Sequence, residues 1–562
     1  MKKTAFSFSI WVLILAVISQ ACLAAKAAPV SEPQTAYAPA VSAQDAMTSS
    51  AMNPAPDAQW QPWSSPLSAA GETTGRAFYV SASGGSNGDG SETNPWRSIQ
   101  TAMDQLQAGD TLFIGEGTYR ESVKFLHSGT ADARITIQGI GEVIMDGTGM
   151  AHSTGLNTDG QDYWTINNVT LNHYSNAVRI EDGSQFIEID GLRADGNITA
   201  VRIDNATDIT LRNAYVINSN NAFRAVGASR RLLLEDIEAY NSRDIYDGMN
   251  PDYKNGDGFI FEATVADVVF RRIISANHWD AGFDIKASNV LIENALVYGS
   301  KNNFKMWGDN ITIVNSMSRN AIREIRPNGS DVEGNGITIM GGSTRAVNVT
   351  FVDNEDHDIA IYTGGTLRLE NSIVARSRPD GLLLENDGVF TSDRVLWFFK
   401  GYSQPDFQIG AADLWADPGF VNWGAGDFHL KESSLARDFA GADALPAADL
   451  DGAPRTVGPR ADLGAYEYQG VPTPPFKGIT TGETVQGTLF IEPNTALFPT
   501  IAEVTYYIDG NKHSRTTKRP YALGGSKGYN TSGLSQGAHM LKAVIKINKR
   551  ESITVLIAFI VA

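Results

Sequence analysis

Apolar and polar positions alternate in short runs through the central part of the chain, from about residue 177 to residue 384. One phrase recurs: a small or polar residue, an apolar residue, a variable residue and a second apolar residue. Alternation over so few residues, interrupted by Gly, Asn and Asp, is typical of short β-strands joined by corners. The nine runs are Ala177–Ile180, Ala200–Ile203, Ala222–Ala225, Gly258–Phe261, Gly282–Ile285, Asn303–Met306, Gly336–Ile339, Asp358–Ile361 and Gly381–Leu384.

The spacing of these runs predicts a solenoid. Their first apolar residues are separated by 23, 22, 36, 24, 21, 33, 22 and 23 positions. A period near 22 residues with several strands in each period indicates a parallel β-helix, since leucine-rich repeats of similar period carry a Leu–Asn signature that is absent here. The two long steps indicate loops inserted at residues 244–256 and 323–334. Insertions on one face of a solenoid commonly wall a binding groove.

The segments on either side of the repeats predict further elements. A strand begins near residue 77, and apolar residues at helical spacing follow between residues 96 and 107. We expect this short helix to cap the open end of the strand array, because an uncovered end would pair with other chains. The repeats fade after Phe398. Alternation resumes at residues 504–508 and 543–547, which predicts a small immunoglobulin-like β-sandwich.

The N-terminal residues predict export. Lys2 and Lys3 precede a mostly apolar stretch that is short for a membrane span, and small residues follow. Cys22, the one cysteine of the sequence, lies where a bacterial lipoprotein is acylated. We expect a secreted, extracellular or periplasmic protein, either released by simple cleavage or lipid-anchored at Cys22. The body of the protein then has no disulfide.

The predicted domain organisation follows from these signals and from two Pro-containing stretches of biased composition. It comprises a signal peptide at residues 1–28, a disordered Ala/Pro/Ser-rich linker at 29–76, a parallel β-helix at 77–468, a Pro-rich linker at 469–478 and the sandwich at 479–562.

The charge balance limits the possible partners. The chain has 45 Lys and Arg against 63 Asp and Glu, a formal net charge of -18. A nucleic-acid-binding protein needs a basic surface, so we expect no nucleic-acid partner. An acidic polysaccharide would need local cations to overcome the overall field. We expect a monomer without a membrane span.

Three of the runs bring acidic and basic residues together. Successive coils of a β-helix are about 4.8 Å apart. If the coils are in register, Phe259, Phe283 and Phe304 point inward as one stack. The residues after the last two, Asp284 and Lys305, then point outward from neighbouring coils.

Two further carboxylates lie at the corner that leads into the same strands. Asp257 and Asp280 can converge with Asp284 on one cation, and a set of hard oxygen ligands suits Ca²⁺. Beside a cation that neutralises the carboxylate of a uronate, Lys305 can remove the C5 proton if its pKa is lowered. The nearby charge of Asp284 would raise that pKa. The constellation predicts β-elimination from a polyuronate.

Three segments of the chain resemble a known family. Residues 255–259, 279–284 and 303–308 are similar to the calcium-site and catalytic-lysine segments of polysaccharide lyase family 9, secreted pectate lyases with a right-handed parallel β-helix. The resemblance implies that Asp257, Asp280 and Asp284 bind calcium and that Lys305 is the base. It extends over residues 77–468 in architecture. The family usually has consecutive aspartates where this chain reads Asp280-Ala281.

Arginines provide candidate contacts to an anionic substrate. Arg179, Arg202 and Arg224 occupy the outward position in three successive coils, and a planar guanidinium matches a carboxylate. They predict a cationic strip on the face that carries Asp284 and Lys305. Two more substrate-binding candidates, Arg323 and Arg326, lie on the second inserted loop.

Several other functions remain open at this stage. A metal-independent lyase acting on another uronan such as alginate would use similar residues, and a C5-epimerase shares the first proton abstraction. A hydrolase of the polygalacturonase type needs paired carboxylic acids, and a second suitably placed acid is lacking. A β-helix that binds glycans without catalysis is a further alternative. A double bond conjugated to the carboxylate, detected by ultraviolet absorbance, distinguishes a lyase from the rest.

Overall fold

The structure is a computed structural model. It describes residues 75–85, 87–150, 153–243, 256–325, 331–332, 334–362, 364–376, 381–385, 387–400, 409–441, 446–470, 476–479, 483–493, 501–546 and 552–562.

The largest sheet of the described residues has eighteen strands, and they pair in parallel. Its strands contain apolar residues at alternate positions, and these side chains are buried. The strands are Ala77–Val80, Thr111–Tyr119, Ile135–Asp146, Trp164–Asn172, Gln185–Asp195, Thr207–Ile217, Arg230–Tyr240, Ala266–Ala276, Ser288–Tyr298, Ile311–Val314, Met317–Arg319, Ser343–Val347, Thr350–Val352, Thr366–Glu370, Ile373–Arg376, Val389–Asp393, Leu396–Phe399 and Leu414–Trp415.

A second parallel sheet contains eleven strands. They are Val123–Lys124, Thr154–Asn157, Asn176–Ile180, Thr199–Asp204, Asn221–Val226, Phe259–Phe261, Ala281–Ile285, Asn302–Met306, Asn335–Ile339, Ile359–Ile361 and Leu382–Leu384. Because the chain passes from this sheet to the eighteen-stranded sheet and back in each period, the molecule is a parallel β-helix, as predicted.

The predicted register of the coils is confirmed. The first apolar residues of the nine runs pair with one another in unbroken order, from Val178 opposite Val201 to Ile359 opposite Leu382. The two long steps do not shift it, since Phe223 pairs with Phe259 and Phe304 with Ile337. Leu156 and Val123 extend the series by two coils that the sequence analysis did not assign.

The interior of the solenoid is filled by stacked side chains. Phe223, Phe259, Phe283 and Phe304 form a column in which successive ring centroids are 5.0, 4.8 and 5.5 Å apart. Phe270, on the eighteen-stranded sheet, meets two of these rings edge to face. Burial of this column orients the eleven-stranded sheet, so the alternate residues of its strands face outward.

Left-handed backbone residues interrupt the long strands at one recurring position. Asn and Asp adopt this conformation more readily than other non-glycine residues, which explains the Asn residues that recur there in the sequence. Neighbouring coils are also tied together through these side chains, since the Asn315 amide donates to Asn294 Oδ1 at 2.8 Å. The column comprises Asn168, Gly191, Asn213, Asp236, Arg272, Asn294, Asn315, Asn348, Asn371 and Arg394.

The predicted N-terminal helix is present and shorter than expected, spanning Ile99–Met103. Ser98 is its N-cap and accepts a hydrogen bond from the Thr101 amide. The Glu121 carboxylate accepts from the amides of the first two helical residues, which satisfies N–H groups that a helix start leaves free. Ile99 and Met103 are buried in the main hydrophobic core.

The segment after the last coils forms a separate hydrophobic cluster on the solenoid. Phe420, Phe428 and Leu463 pack with Ile373 and Leu396 of the eighteen-stranded sheet. Its regular elements are an antiparallel pair of strands and a short 3₁₀ helix between them: Phe420–Asn422, Trp423–Ala425 and Asp427–Leu430.

The C-terminal residues have a hydrophobic core of their own, which includes Val504, Tyr506 and Leu541. A turn at Asp509 and Gly510 joins two strands of a five-stranded sheet. That sheet contains Thr484–Val485, Glu503–Ile508, Asn511–Thr516, Gly537–Lys546 and Ser552–Val561.

The remaining elements of the described chain are short. No described helix has the length and apolar character needed to span a bilayer. The elements are the strand pairs Glu324–Ile325 with Asp331–Val332, Phe476–Lys477 with Glu492–Pro493 and Thr488–Leu489 with Tyr529–Asn530, and the 3₁₀ helices Gly525–Lys527 and Thr531–Gly533.

Candidate functional site

One outward column of the eleven-stranded sheet carries most of the predicted site residues. It consists of the residues that follow the inward apolar position in successive coils, and they pair directly across the rungs. Asp284 pairs with Lys305, as predicted. In chain order the column reads Arg179, Arg202, Arg224, Ile260, Asp284, Lys305 and Thr338.

Lys305 lies among the three predicted acidic residues. Its ammonium donates to Asp280 Oδ2 at 3.1 Å, and its Nζ lies 5.9 Å from the centre of the Trp307 ring. Burial would by itself lower the pKa of Lys305, but the negative charges of Asp280, Asp284 and Asp257 outweigh it. The pKa of Lys305 is therefore raised, opposite to the lowering that the sequence analysis required of a base.

Asp284 is held by neighbours other than Lys305. Its Oδ2 accepts from the Lys286 ammonium at 2.9 Å, and its Oδ1 accepts from Trp307 Nε1 at 2.9 Å. Lys286 also lies 3.6 Å from Glu262. Lys286 is not among the site residues predicted from the sequence. Its signal is the spacing, because a residue two positions after Asp284 in a strand points to the same face.

Asp257 is the most enclosed of the three carboxylates, with 1% of the residue exposed. Its Oδ1 accepts from the Ala281 amide at 2.8 Å, whereas its Oδ2 is buried without a hydrogen-bond partner. Burial, followed by the charges of Asp280 and Asp284, raises the pKa of Asp257 well above its ordinary value. An enclosed carboxylate oxygen of this kind is suited to a cation ligand.

The donor set fits a hard cation in its chemistry. Asp257, Asp280 and Asp284 offer carboxylate oxygens, the ligands that Ca²⁺ takes, and one of those oxygens is buried and unpaired. In the described residues these three carboxylates do not all lie within 4.8 Å of one another. The reason is visible in their partners, since Lys305 holds Asp280 and Lys286 holds Asp284.

A second acidic group lies three coils or more towards the N-terminus. Carboxylate oxygens of Asp159, Glu181 and Asp182 lie within 4.8 Å of one another. Cations already accompany this group: Lys124 Nζ is 2.7 Å from Asp159, and Arg179 is 2.5 Å from Glu181.

The predicted arginine strip is present, but its charge is balanced. Arg179, Arg202 and Arg224 are in register, and each guanidinium pairs with a carboxylate of the next outward column. The partners are Glu181 at 2.5 Å, Asp204 at 3.0 Å and Glu262 at 3.6 Å. The strip is thus a row of ion pairs. A guanidinium has five N–H donors, so one carboxylate partner leaves others for a ligand.

The remaining candidates lie on the corner and its loops. Arg323 pairs with Asp356 at 3.3 Å, while Arg326 lies outside the described residues. His278, beside the site in sequence, is buried. Burial lowers its pKa to about 3, and its ring accepts from the Ser242 amide at 3.1 Å, which fits a structural contact.

The fold and the column define the class of protein: an all-β, right-handed parallel β-helix with charged residues in one outward column. Residues 78–354 match the family model described as the Pel9A-like, right handed beta helix region. This part of the chain belongs to the Pel9A-like β-helix family, which confirms the resemblance drawn from the sequence.

Individual proteins show how far the likeness extends. The chain is 26% identical over 243 residues to the pectate disaccharide-lyase of Dickeya chrysanthemi, a match that covers 42% of this chain and 28% of that protein. The chain therefore spans less than a third of that relative's length.

Two solved structures have a similar course of the chain. The XylC complex with xylose has a TM-score of 0.52 and 10% identity, covering 70% of this chain and 98% of that chain. Pectate lyase Pel9A has a TM-score of 0.42 and 17% identity, covering 70% and 96%. At 10% identity, the similarity to the XylC structure supports the fold alone.

Proposed function

We propose that this protein is a polysaccharide lyase that cleaves a polyuronate of the pectate type by calcium-assisted β-elimination, with Lys305 as the base. Its main support is the position of Lys305, half-buried beside Asp280 and one rung from Asp284, in a chain whose family model and curated relative are of the pectate lyase type.

Asp257, Asp280 and Asp284 would hold the cation. Asp257 offers its unpaired Oδ2, and the other two would exchange their lysine partners for it. When bound, Ca²⁺ would neutralise the substrate carboxylate, which makes the C5 proton of the uronate more acidic.

Lys305 would accept that proton as a neutral amine, the C5–H electron pair would form the C4–C5 double bond, and the C4–O bond would break, its oxygen taking a proton from water. The charges of the three aspartates are what hold its pKa up, and burial is the influence that opposes them. With those charges compensated, burial prevails and lowers the pKa of Lys305, so the amine becomes available near neutral pH. The aspartates thereby set both the binding and the basicity of the site.

The ion-paired arginines would orient the chain of the substrate. Arg179, Arg202 and Arg224 lie in the same column as Lys305, one coil apart from each other. Each retains N–H donors beyond those used by its acidic partner, and these suit the carboxylates of successive sugars.

A metal-independent lyase acting on another uronan such as alginate is the second candidate. The lysine pairing favours it, because Lys305 with Asp280 and Lys286 with Asp284 compensate two carboxylates without a metal ion. In that case an arginine or an amide would neutralise the substrate carboxylate.

Export, the helical cap and the immunoglobulin-like domain belong to the same proposal. A lyase for an external polysaccharide requires secretion, for which the signal-like residues 1–28, outside the described structure, would serve. The helix Ile99–Met103 would cap the solenoid, and the five-stranded sheet near the C-terminus would belong to an immunoglobulin-like sandwich.

The test is the ultraviolet absorbance of the unsaturated product, followed on polygalacturonate and alginate with calcium and with a chelator. We expect absorbance on polygalacturonate that the chelator abolishes. Lys305→Ala should reduce the rate by about 10²- to 10⁴-fold, the usual contribution of a general base. Lys305→Arg, which keeps the charge but cannot deprotonate, should be equally inactive.

Two results would contradict the proposal. Full activity of both Lys305 variants, with circular dichroism unchanged, would remove the lysine from the mechanism. Activity on alginate that persists in chelator would favour the metal-independent alternative.

A further inference from the structure

Buried polar atoms without a hydrogen-bond partner concentrate at the corner that carries Asp257. They are the side-chain oxygens of Asn220, Asn221, Ser242 and Asp257. Buried polar groups in native proteins are nearly always paired, so unpaired oxygens of this kind are candidates for contacts to a ligand.

Asn221 is the member of this group that is placed to act together with Asp257. Phe223 pairs with Phe259, and the Ala222 amide donates to the Asp257 carbonyl at 3.1 Å. Asn221 and Asp257 therefore occupy the same place in successive coils, about 4.8 Å apart along the solenoid. Asn221 is 7% exposed, and its Oδ1 is one of the unpaired atoms.

The two carboxylate oxygens of Asp257 differ in their hydrogen bonding. On the side of Ala281, Asp257 Oδ1 accepts the backbone N–H at 2.8 Å. On the side of Asn221 no hydrogen bond of the described residues engages the free Oδ2 of Asp257 or the free Oδ1 of Asn221. The free Oδ2 of Asp257 and the free Oδ1 of Asn221 are thus buried in neighbouring coils, and both are oxygens of the kind that a hard cation takes as ligands.

We infer that Asn221 Oδ1 is a further ligand of the cation site formed by Asp257, Asp280 and Asp284, an inference that rests on the proposed function. Ca²⁺ takes six to eight oxygens, amide oxygens among them, and three aspartates alone leave room in that shell. A neutral ligand also suits the surroundings, because three carboxylates already share this region with Lys305 and Lys286.

Calcium binding by the full-length protein, stripped of metal and titrated with CaCl₂ alone in a calorimeter, tests the assignment. We expect Asn221→Ala to weaken binding by about tenfold, as the loss of one ligand should. Asn221→Asp, which keeps the oxygen and adds charge, should bind at least as tightly as the unmodified protein. Asn176→Ala is the matched control, because Asn176 lies in the same column two coils away and should leave affinity unchanged.

The outcomes separate this inference from the proposed function. Unchanged affinity in Asn221→Ala, or weaker binding in Asn221→Asp, would overturn the role of Asn221 and leave the aspartate site standing. Absence of calcium binding in the unmodified protein would overturn both. Melting curves without metal check that each variant folds. If Asn221→Ala does not fold, the Asn221→Asp affinity decides alone.

Discussion

At the scale of single residues, Asp257 shows how an enclosed carboxylate depends on its surroundings. It keeps one hydrogen bond, from the Ala281 amide, and its other oxygen has none. Burial first, then the charges of Asp280 and Asp284, raise its pKa. In the absence of a cation, keeping this group ionised costs folding free energy.

We predict that Asp257→Asn stabilises the metal-free protein at neutral pH. A carboxyl whose pKa is raised on folding binds more protons in the native state, so stability falls as pH rises above the ordinary Asp range. The variant removes that loss, by on the order of 1 kcal/mol. Melting temperatures from pH 4 to pH 8 in chelator should show a gain at the upper end that shrinks towards pH 4.

Calcium should reverse the comparison. The unmodified protein should gain melting temperature when calcium is added, and Asp257→Asn should gain much less. An Asp257→Asn variant that is less stable than the unmodified protein throughout this pH range in chelator would contradict the raised pKa.

The sequence defined the positions of the site residues better than their partners. Strand alternation fixes the face to which a side chain points, so Asp284 and Lys305 could be placed side by side. It does not fix the rotamers of a long side chain. Lys305 reaches Asp280 at the corner, and Lys286 takes the place expected for it at Asp284.

At the scale of elements, the aromatic column supports the strands that carry the site. Phe283 is fully buried between Phe259 and Phe304, and the next residue along the strand is Asp284. Face-to-face packing of rings from successive coils therefore holds the outward residues at a constant separation.

We predict that Phe283→Ala lowers the free energy of unfolding by about 3–5 kcal/mol, because it leaves a cavity in the stack. Phe186→Ala is the control. Phe186 is 36% exposed, so its removal should cost far less. Chemical denaturation followed by circular dichroism measures the free energy of unfolding of both variants. Equal decreases would show that the aromatic column stabilises the fold no more than an exposed ring does.

The row of arginines is the second element with a testable role. We predict that Arg202→Gln raises KM on polygalacturonate by about three- to tenfold with kcat little changed, since the proposed function has Arg202 contact substrate away from the reacting bond. Arg212→Gln is the control: Arg212 belongs to the same coil, pairs with Glu235 and lies on the eighteen-stranded sheet. A fall in kcat for Arg202→Gln alone would place Arg202 nearer the chemistry.

The pairing of the arginines was not predictable from the outward column alone. Their partners Glu181 and Asp204 lie two residues further along the same strands, on the same face. Comparison of one outward position in successive coils identifies the arginines but not their acidic partners. When two columns are read together, the sequence indicates ion pairs.

At the scale of the whole molecule, the hydrophobic clusters show which segments depend on each other. The closing segment shares a cluster with the eighteen-stranded sheet, through Leu463 beside Ile373 and Leu396. The C-terminal core, around Tyr506 and Leu541, is separate from it in the described residues.

We predict that a chain ending at residue 470 retains the thermal transition of the β-helix and its activity on soluble substrate. A chain ending at residue 418 should melt at least about 5 °C lower, because it exposes the apolar residues that Phe420, Phe428 and Leu463 cover. Differential scanning calorimetry compares the two. An equal fall in both would mean that the C-terminal core also stabilises the solenoid.

The register of the coils was readable from the sequence because the period survives two long insertions. Phe223 with Phe259, and Phe304 with Ile337, pair across them without a shift. The N-terminal helix was predicted at the correct position, but the predicted helix was too long. Its apolar spacing continues to Leu106, whereas the helix ends at Met103. Loops have no repeating sequence pattern, so the conformations of the loops expected to wall a groove could not be predicted from the sequence.

Both insertions come after a strand of the eighteen-stranded sheet and before the next strand of the eleven-stranded sheet. The rungs on either side remain paired as though the extra residues were absent. Substitution or lengthening of the inserted residues is therefore compatible with an unchanged register of the charged residues on the neighbouring strands. Under the proposed function, preference for one polymer over another could change by this route while Asp284 and Lys305 stay on adjacent rungs.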